Sequence, residues 1–342
     1  MIRSYLILIH VFLAGLCGFV HAGEIIDMAG RKVTVPDVIR SVYSASPPAT
    51  CMVYAVAPDL VAGLNYACRS EERKYMSPRI QNLPVVGGWF GQGQTPNLET
   101  LMQVCPDIIL VRQSKRSAAG DKIEQTLAPL GIPIVFIRID TLADYPGVFE
   151  FLGKLFNRDQ RTHVLVQYAR QTLTALDARR AVLADGEKIP IYYAEGVDGV
   201  STECSASVHA ELIPLCGGKN VHVCGKNEGF GMEKISVEQV IRYDPQVILV
   251  REPAFYDRVY KDPRWQNIRA VYDHRVFLIP RSPFNWFDRP PSFMRLLGAR
   301  WLMNRLYPDK YPVEMIEETQ GFYRLFLHTS LDRKAASEIL HP

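Results

Sequence analysis

Asn97-Leu98-Glu99-Thr100-Leu101-Met102-Gln103-Val104-Cys105-Pro106-Asp107-Ile108-Ile109-Leu110-Val111-Arg112 has a counterpart in Ser236-Val237-Glu238-Gln239-Val240-Ile241-Arg242-Tyr243-Asp244-Pro245-Gln246-Val247-Ile248-Leu249-Val250-Arg251. In both, seven positions separate Glu from Pro and six more separate Pro from Arg, with an apolar, β-branched run before the arginine. The spacing predicts one helix-to-strand unit used twice. Two similar α/β halves leave a cleft between them, and clefts at the carboxyl ends of strands are where such folds hold ligands.

Outward from these units the alternation continues. Glu24 to Met28 and Lys32 to Val35 read as a hairpin turning at Ala29-Gly30-Arg31. Short apolar runs follow at Ser41-Val42-Tyr43, Leu60 to Leu64, Pro84-Val85-Val86, Ile108 to Val111 and Ile134 to Ile139. A second set lies at Ile189 to Ala194, Asn220 to Val223, Val247 to Val250 and Arg275 to Ile279, with helices expected over Ser207 to Leu215, Val237 to Tyr243 and Ser292 to Leu306. Strands alternating with helices imply parallel sheets covered on both faces. Between the sets, Asn157-Arg158-Asp159-Gln160 reads as a capping box, and Val164, Leu165, Tyr168, Leu173 and Leu176 form a stripe at helical spacing. A helix of about 26 residues would span about 39 Å and act as a stiff strut, opposing large hinge closure. The fold class is α/β: two Rossmann-like lobes with mostly parallel sheets, joined by a single long α-helix. The expected boundaries are 1–22 signal peptide, 23–141 first lobe, 142–185 linker helix region, 186–311 second lobe and 312–342 helical tail.

The signal peptide rests on Arg3, the apolar run Leu6 to Val20 and the small residues around Val20-His21-Ala22. Its apolar core of about 15 residues is short of the roughly 20 that span a bilayer. A periplasmic location follows. Among 342 residues, 39 Lys+Arg face 36 Asp+Glu, and cleavage removes only Arg3, which leaves a net charge near +2 and no basic run. That balance argues against a nucleic-acid partner. Six of the seven cysteines remain after cleavage, and an oxidising compartment permits disulfides. Cys204, Cys216 and Cys224 are close enough in sequence to make a bridge among them the first expectation.

Strand-ending Arg112 and Arg251 should each point toward the space between lobes, where a fixed fork of donors suits carboxylate, catecholate or phosphate oxygens. The ordinary alternative is a salt bridge to a neighbour such as Glu252. Trp89 and Phe90 sit in a glycine-rich loop, and Phe284 and Trp286 follow the Arg275 to Ile279 strand, so all four are candidate walls for a large flat ligand; capping their own lobe is the alternative. His209 could reach into the cleft and touch a metal already carried by a chelator. The Cys204, His209, Cys216, His222 and Cys224 region raises a metal-dependent enzyme as a competing class, although it contains no Cys-x-x-Cys or His-x3-His pairing. No nucleophile elbow, phosphate loop or dinucleotide fingerprint is present, so neither an enzyme nor a resident cofactor or metal is expected. Glu99 and Glu238 hold matching places at helix starts, where the dipole favours a carboxylate. Together they would also make a two-point dock for a partner bearing paired arginines.

With these residues in view, the chain resembles the periplasmic substrate-binding proteins of ABC importers for iron-siderophores, haem and cobalamin, whose lobes are joined by one long helix. The resemblance covers nearly the whole mature chain. It rests on Asn97-Leu98-Glu99 with Pro106-Asp107, Glu211-Leu212-Ile213 with Gly217-Gly218-Lys219-Asn220, Ser236-Val237-Glu238-Gln239-Val240 with Pro245, and Trp286-Phe287-Asp288-Arg289. It implies that Glu99 and Glu238 meet arginines on the transmembrane permease. Cobalamin binders are similar at Cys216-Gly217-Gly218 and Trp286-Phe287, but they pair that cysteine with one in the final lobe helix, and the helix around Met303 has none. Ferric-siderophore binders line the cleft with arginine and aromatics, which Arg112, Arg251, Trp89 and Trp286 could supply. The expectation is a monomeric receptor for a small-molecule metal chelate, foremost a ferric siderophore. Haem, cobalamin, a nickel chelate or an oxyanion are the other ligands such a fold takes, and a surface adhesion or scaffold module is a third class.

Overall fold

The computed structural model describes residues 22–89, 96–113, 118–225 and 231–341. Strands β1 (Ala22–Ile26) and β2 (Lys32–Pro36) pair antiparallel as the expected hairpin. Asp27 fastens its turn by accepting from the backbone N–H groups of Ala29 and Arg31, at 3.0 and 2.9 Å, and it also accepts from Phe136 N at 3.1 Å. The first lobe is built on a parallel sheet ordered β3 (Val42–Ser44), β4 (Ile108–Arg112) and β5 (Ile134–Ile137). Leu60 to Leu64 and Pro84 to Val86 contribute only isolated bridges, Val42 to Val61 and Leu64 to Val85. Helices α1 (Pro47–Val56), α2 (Leu98–Val104) and α3 (Ala118–Leu127) belong to this lobe.

Next come α4 (Tyr145–Leu155) and α5 (Asp159–Ala181). At 23 residues α5 runs about 35 Å. The expected capping box is absent: Arg158 stands at the cap without a side-chain bond, and Asn157 takes a φ of 54° to carry the turn between the two helices. Their close approach needs Gly153, where a Cβ would lie 2.1 Å from Thr162 Oγ1. Of the expected stripe, Leu165 and Leu176 are buried but Val164 faces solvent. Thr162, Val166, Ala169 and Thr172 complete the buried face.

The second sheet is also parallel, ordered β9 (Val276–Leu278), β8 (Val247–Val250), β6 (Ile189–Ala194) and β7 (Gly218–Asn220). Helices α6 (Val237–Tyr243), α7 (Pro253–Val259) and α8 (Met294–Leu306) flank it. The expected helix over Ser207 to Leu215 is two short turns, Val208–Ala210 and Leu212–Leu215, interrupted at Glu211. The tail forms α9 (Met315–Phe326) and α10 (Arg333–Leu340). Its Phe322 and Phe326 stack at 4.3 Å within the main core, and Tyr54 in α1 donates to Leu327 O at 3.0 Å. The tail is thus part of the core rather than an appendage.

The repeat is real in three dimensions. Asn97 and Ser236 cap α2 and α6 by accepting from the N–H groups of Thr100 and Gln239, at 2.9 and 3.3 Å. Leu101 and Val240 are buried at matching positions, and Cys105 and Asp244 end both helices in the left-handed region. Each unit then runs into the central part of its sheet.

Candidate functional site

The cavity that meets both sheets has a volume of about 340 Å³. From the first lobe it takes Pro47 and Pro48 at the start of α1, Tyr66, Arg69, Arg112 at the end of β4, and Asp140 just beyond β5. From the second it takes Val208, His209, Arg251 directly after β8, and the run Arg289, Pro290, Pro291 and Arg295 that leads into α8. Arg112 and Arg251 are where the strand-end argument puts them. Arg112 donates from Nε to Ile139 O at 2.9 Å and holds Nη2 3.6 Å from Asp140.

Behind these arginines lies a layer of buried carboxylates. Glu195 Oε1 accepts from Arg251 Nη1 at 3.2 Å and from Arg289 Nε at 3.1 Å. Glu203 accepts from the Arg289 guanidinium and from the Ser207 hydroxyl. Asp288 accepts from the Tyr193 hydroxyl at 3.0 Å, and its second oxygen lies 3.2 Å from His209 Nδ1 without alignment for a hydrogen bond. Glu211 accepts from Arg295 and from Leu142 N, which ties the second lobe to the start of the helical linker. Arg251 is also 3.5 Å from Glu252, so the neighbour salt bridge exists alongside the cleft position.

This layer fixes the guanidiniums while leaving donors over, since each arginine has five. Burial opposes the Arg289 charge, yet Asp288 and Glu195 outweigh it and raise its pKa. For Glu195, burial and then Asp288 raise the pKa, while Arg289 and Arg251 pull it down; the net direction is upward. The exposed rim therefore offers positive donors, and the negative charge sits one layer deeper.

The aromatic expectations turn out differently. Trp286 is completely buried, donates from Nε1 to Ser282 O at 3.1 Å and packs in the core. Gly298 on α8 lets helix and loop press together here, since a Cβ at that position would meet the Trp286 carbonyl oxygen at 1.9 Å. Phe284 lines a small internal void beside Cys51 and Cys68 instead of the cleft. Trp89 is half-buried against the first-lobe core with Tyr43 and Val86, and Phe90 lies outside the described residues. Arg289 and Arg295 were not singled out as ligand residues. Only Arg289 has a signal, in Asp288-Arg289-Pro290-Pro291, a charged pair before two prolines just ahead of the helix expected from Ser292.

Among the described residues the cysteine-histidine region does not gather into a metal-binding cluster. Cys204 and Cys224 are joined in a disulfide, which satisfies the expected bridge and removes two sulfurs from metal chemistry. His222 lies 3.0 Å from both the Tyr243 hydroxyl and Glu233. Cys216 is buried and donates to Ala299 O at 3.4 Å. Among the described residues no cluster of three or more His, Cys, Asp and Glu could hold a metal ion. Nor, among them, is any helix long and apolar enough to cross a membrane. Glu99 and Glu238 are both exposed in the first turns of α2 and α6.

The periplasmic binding protein family matches residues 46–283. An ABC transporter solute binding protein from Sulfurospirillum deleyianum is 35% identical, and its structure superposes with a TM-score of 0.86 over 93% of this chain and 99% of that one. The molybdate-binding protein MolA of Haemophilus influenzae is 25% identical over 333 residues, 90% of this chain and 91% of that protein. The vitamin B12-binding protein of Pectobacterium atrosepticum is 24% identical over 271 residues, 78% of this chain and 88% of that protein. With two lobes, parallel sheets and a helical connection in place, the chain belongs to the periplasmic binding protein family, as an extracytoplasmic substrate-binding protein of an ABC transporter.

Proposed function

We propose that the cleft captures a small oxygen-rich anion of the tetrahedral oxyanion class that includes molybdate, for delivery to the permease. The observation that carries this reading is the convergence of Arg69, Arg112, Arg251, Arg289 and Arg295 on one cavity with Asp140 as the only acid among its described lining residues. Guanidinium forks match paired oxygens, and each contributes a charge-assisted bond. The two glutamates, Glu99 and Glu238, then serve as the contact points for the permease, and residues 1–22 direct export. MolA, whose name records molybdate, supports the ligand class.

A ferric siderophore is the second reading. The cavity volume, about 340 Å³, exceeds what five heavy atoms fill and lies in the range of larger ligands. Against it stand Trp286 and Phe284, which give a flat chelator no wall. Isothermal titration with molybdate, tungstate, sulfate, ferric tricatecholate and cyanocobalamin decides. Saturable heat with molybdate or tungstate is the expected result. Heat with the ferric complex alone would transfer the assignment to the second reading, and silence with all five would overturn both.

A further inference from the structure

At the outer edge of the second lobe, away from the cleft, a pocket of about 350 Å³ opens beside edge strand β9. Tyr256 and Tyr260 of the α7 segment, His274, Phe277 on β9, and Trp301 and Arg305 on α8 supply its chemistry. Two donors here have no acceptor. Arg305 has no hydrogen bond or ion pair among the described residues, although it is half-buried and stands 5.6 Å over the Phe277 ring. Burial lowers its pKa from the usual arginine value, the mark of a guanidinium short of compensation. Trp301 is 1% exposed, and its Nε1–H likewise finds no partner. Three of the cleft arginines, Arg251, Arg289 and Arg295, each hold a buried or half-buried carboxylate instead. A buried donor without a partner, such as the Trp301 Nε1–H, is costly and native proteins keep few of them, while the half-buried Arg305 fork is open to the pocket.

The remaining walls are aromatic. Tyr260 stacks on His274 at 5.4 Å with an interplanar angle of 26°, and Tyr256 meets Tyr260 edge-on. No acidic residue is among the described residues that line the pocket, and His274 and His341 stand on its wall. Arg305 is ten residues beyond the cleft's Arg295 on α8, about 15 Å along the helix axis. The two sites therefore share a helix but not a cavity.

We propose that this pocket is a second ligand site and that it takes a small aromatic carboxylate. The carboxylate pairs with the Arg305 fork, and the ring lies among Tyr256, Tyr260 and Phe277. The test is a titration of the mature chain with benzoate, with its neutral analogue benzamide and with inorganic phosphate. Benzoate is expected to bind with a Kd on the order of 1 mM or tighter, and benzamide and phosphate at least about tenfold more weakly. Arg305→Gln is expected to weaken benzoate about tenfold or more, while Arg305→Lys, which keeps the charge but loses the fork, falls between. Near-UV circular dichroism and melting of both variants establish that they are folded. Arg251→Gln, in the cleft, should leave benzoate binding unchanged, so the outcome does not depend on the oxyanion reading. Absent benzoate binding, equal binding of phosphate, or a loss caused by Arg251→Gln instead of Arg305→Gln would overturn the proposal.

Discussion

Arg251 holds Nη1 3.2 Å from Oε1 of Glu195, a carboxylate with no solvent exposure that also receives Arg289. Because burial and Asp288 raise the Glu195 pKa, this group takes up a proton on acidification before exposed acids do. Protonation leaves Arg251 and Arg289 with one more unit of uncompensated positive charge, so anion affinity should rise as pH falls through that window. The effect should be about 1 kcal/mol, or fivefold in Kd, for one charge partly screened by solvent. Other polar groups line the same cleft, so the telling measurement is a difference. Glu195→Gln should bind molybdate more tightly than the native chain at neutral pH, and the two should converge in acid. A parallel pair of titration curves would remove Glu195 from the account. The same raised pKa means that the native state holds an extra proton between the unfolded and folded values, so this group's contribution to stability declines as pH rises through that interval.

Arg112→Ala and Arg251→Ala remove one fork from each lobe. Charge-assisted hydrogen bonds contribute about 1.5–3 kcal/mol, so each substitution should weaken oxyanion binding about tenfold to a hundredfold. Arg251→Ala should also lower the melting temperature more than Arg112→Ala, because it leaves Glu195 with a single guanidinium partner. Calorimetry and thermal melts on the same preparations check both.

Much of this is legible in the sequence. The Glu-Pro-Arg spacing held because it is enforced locally: a side-chain cap, a left-handed stop and a buried strand each need particular residue types at fixed offsets. Arg112 and Arg251 followed from where parallel strands end. Trp286 is buried where α8 packs against its loop across Gly298, a residue whose missing side chain matters only once that packing forms. Arg69 and Arg295 carried no local mark, since they reach the cleft through chain folding at long range. The strand expectations at Leu60 and Pro84 failed for a similar reason: apolar runs of that length make isolated bridges as readily as a ladder.

The helix starts that bear Glu99 and Glu238 share a second matched feature. Met102 and Ile241, each three residues after its glutamate, are 62% and 41% exposed. A partner that pairs with Glu99 and Glu238 would cover both apolar side chains as well. Glu99→Ala with Glu238→Ala should abolish uptake in cells while leaving ligand affinity in solution unchanged. Met102→Ser with Ile241→Ser should reduce uptake partially, by about the few-fold expected for exposed apolar area buried at an interface. Unchanged uptake in the glutamate pair would sink the docking role.

The Cys204–Cys224 bridge closes a separation of 20 residues and carries a neighbouring contact, Ala206 N to Cys224 Sγ at 3.1 Å. Constraining a loop of that length should stabilise the fold by about 3 kcal/mol through the unfolded state. Cys204→Ser with Cys224→Ser should show that loss in urea denaturation. Adding reductant should bring the native protein to the same midpoint without affecting the double variant.

Gly298→Ala tests how firmly α8 and the Trp286 loop are pressed together. The added methyl would have to displace the Trp286 carbonyl oxygen, 1.9 Å away, and a backbone atom cannot rotate aside as a side chain can. Overpacking of this kind costs about 1–3 kcal/mol where the surroundings relax, and more where they cannot. The consequence extends to the cleft, because Arg289 and Arg295 follow Trp286 along the same loop and helix. Gly298→Ala should therefore lower the melting temperature and weaken anion binding together, whereas Gly321→Ala, with open space around its Cβ, should do neither. A stable Gly298→Ala protein with native affinity would show that this contact does not hold the second lobe's arginines in place.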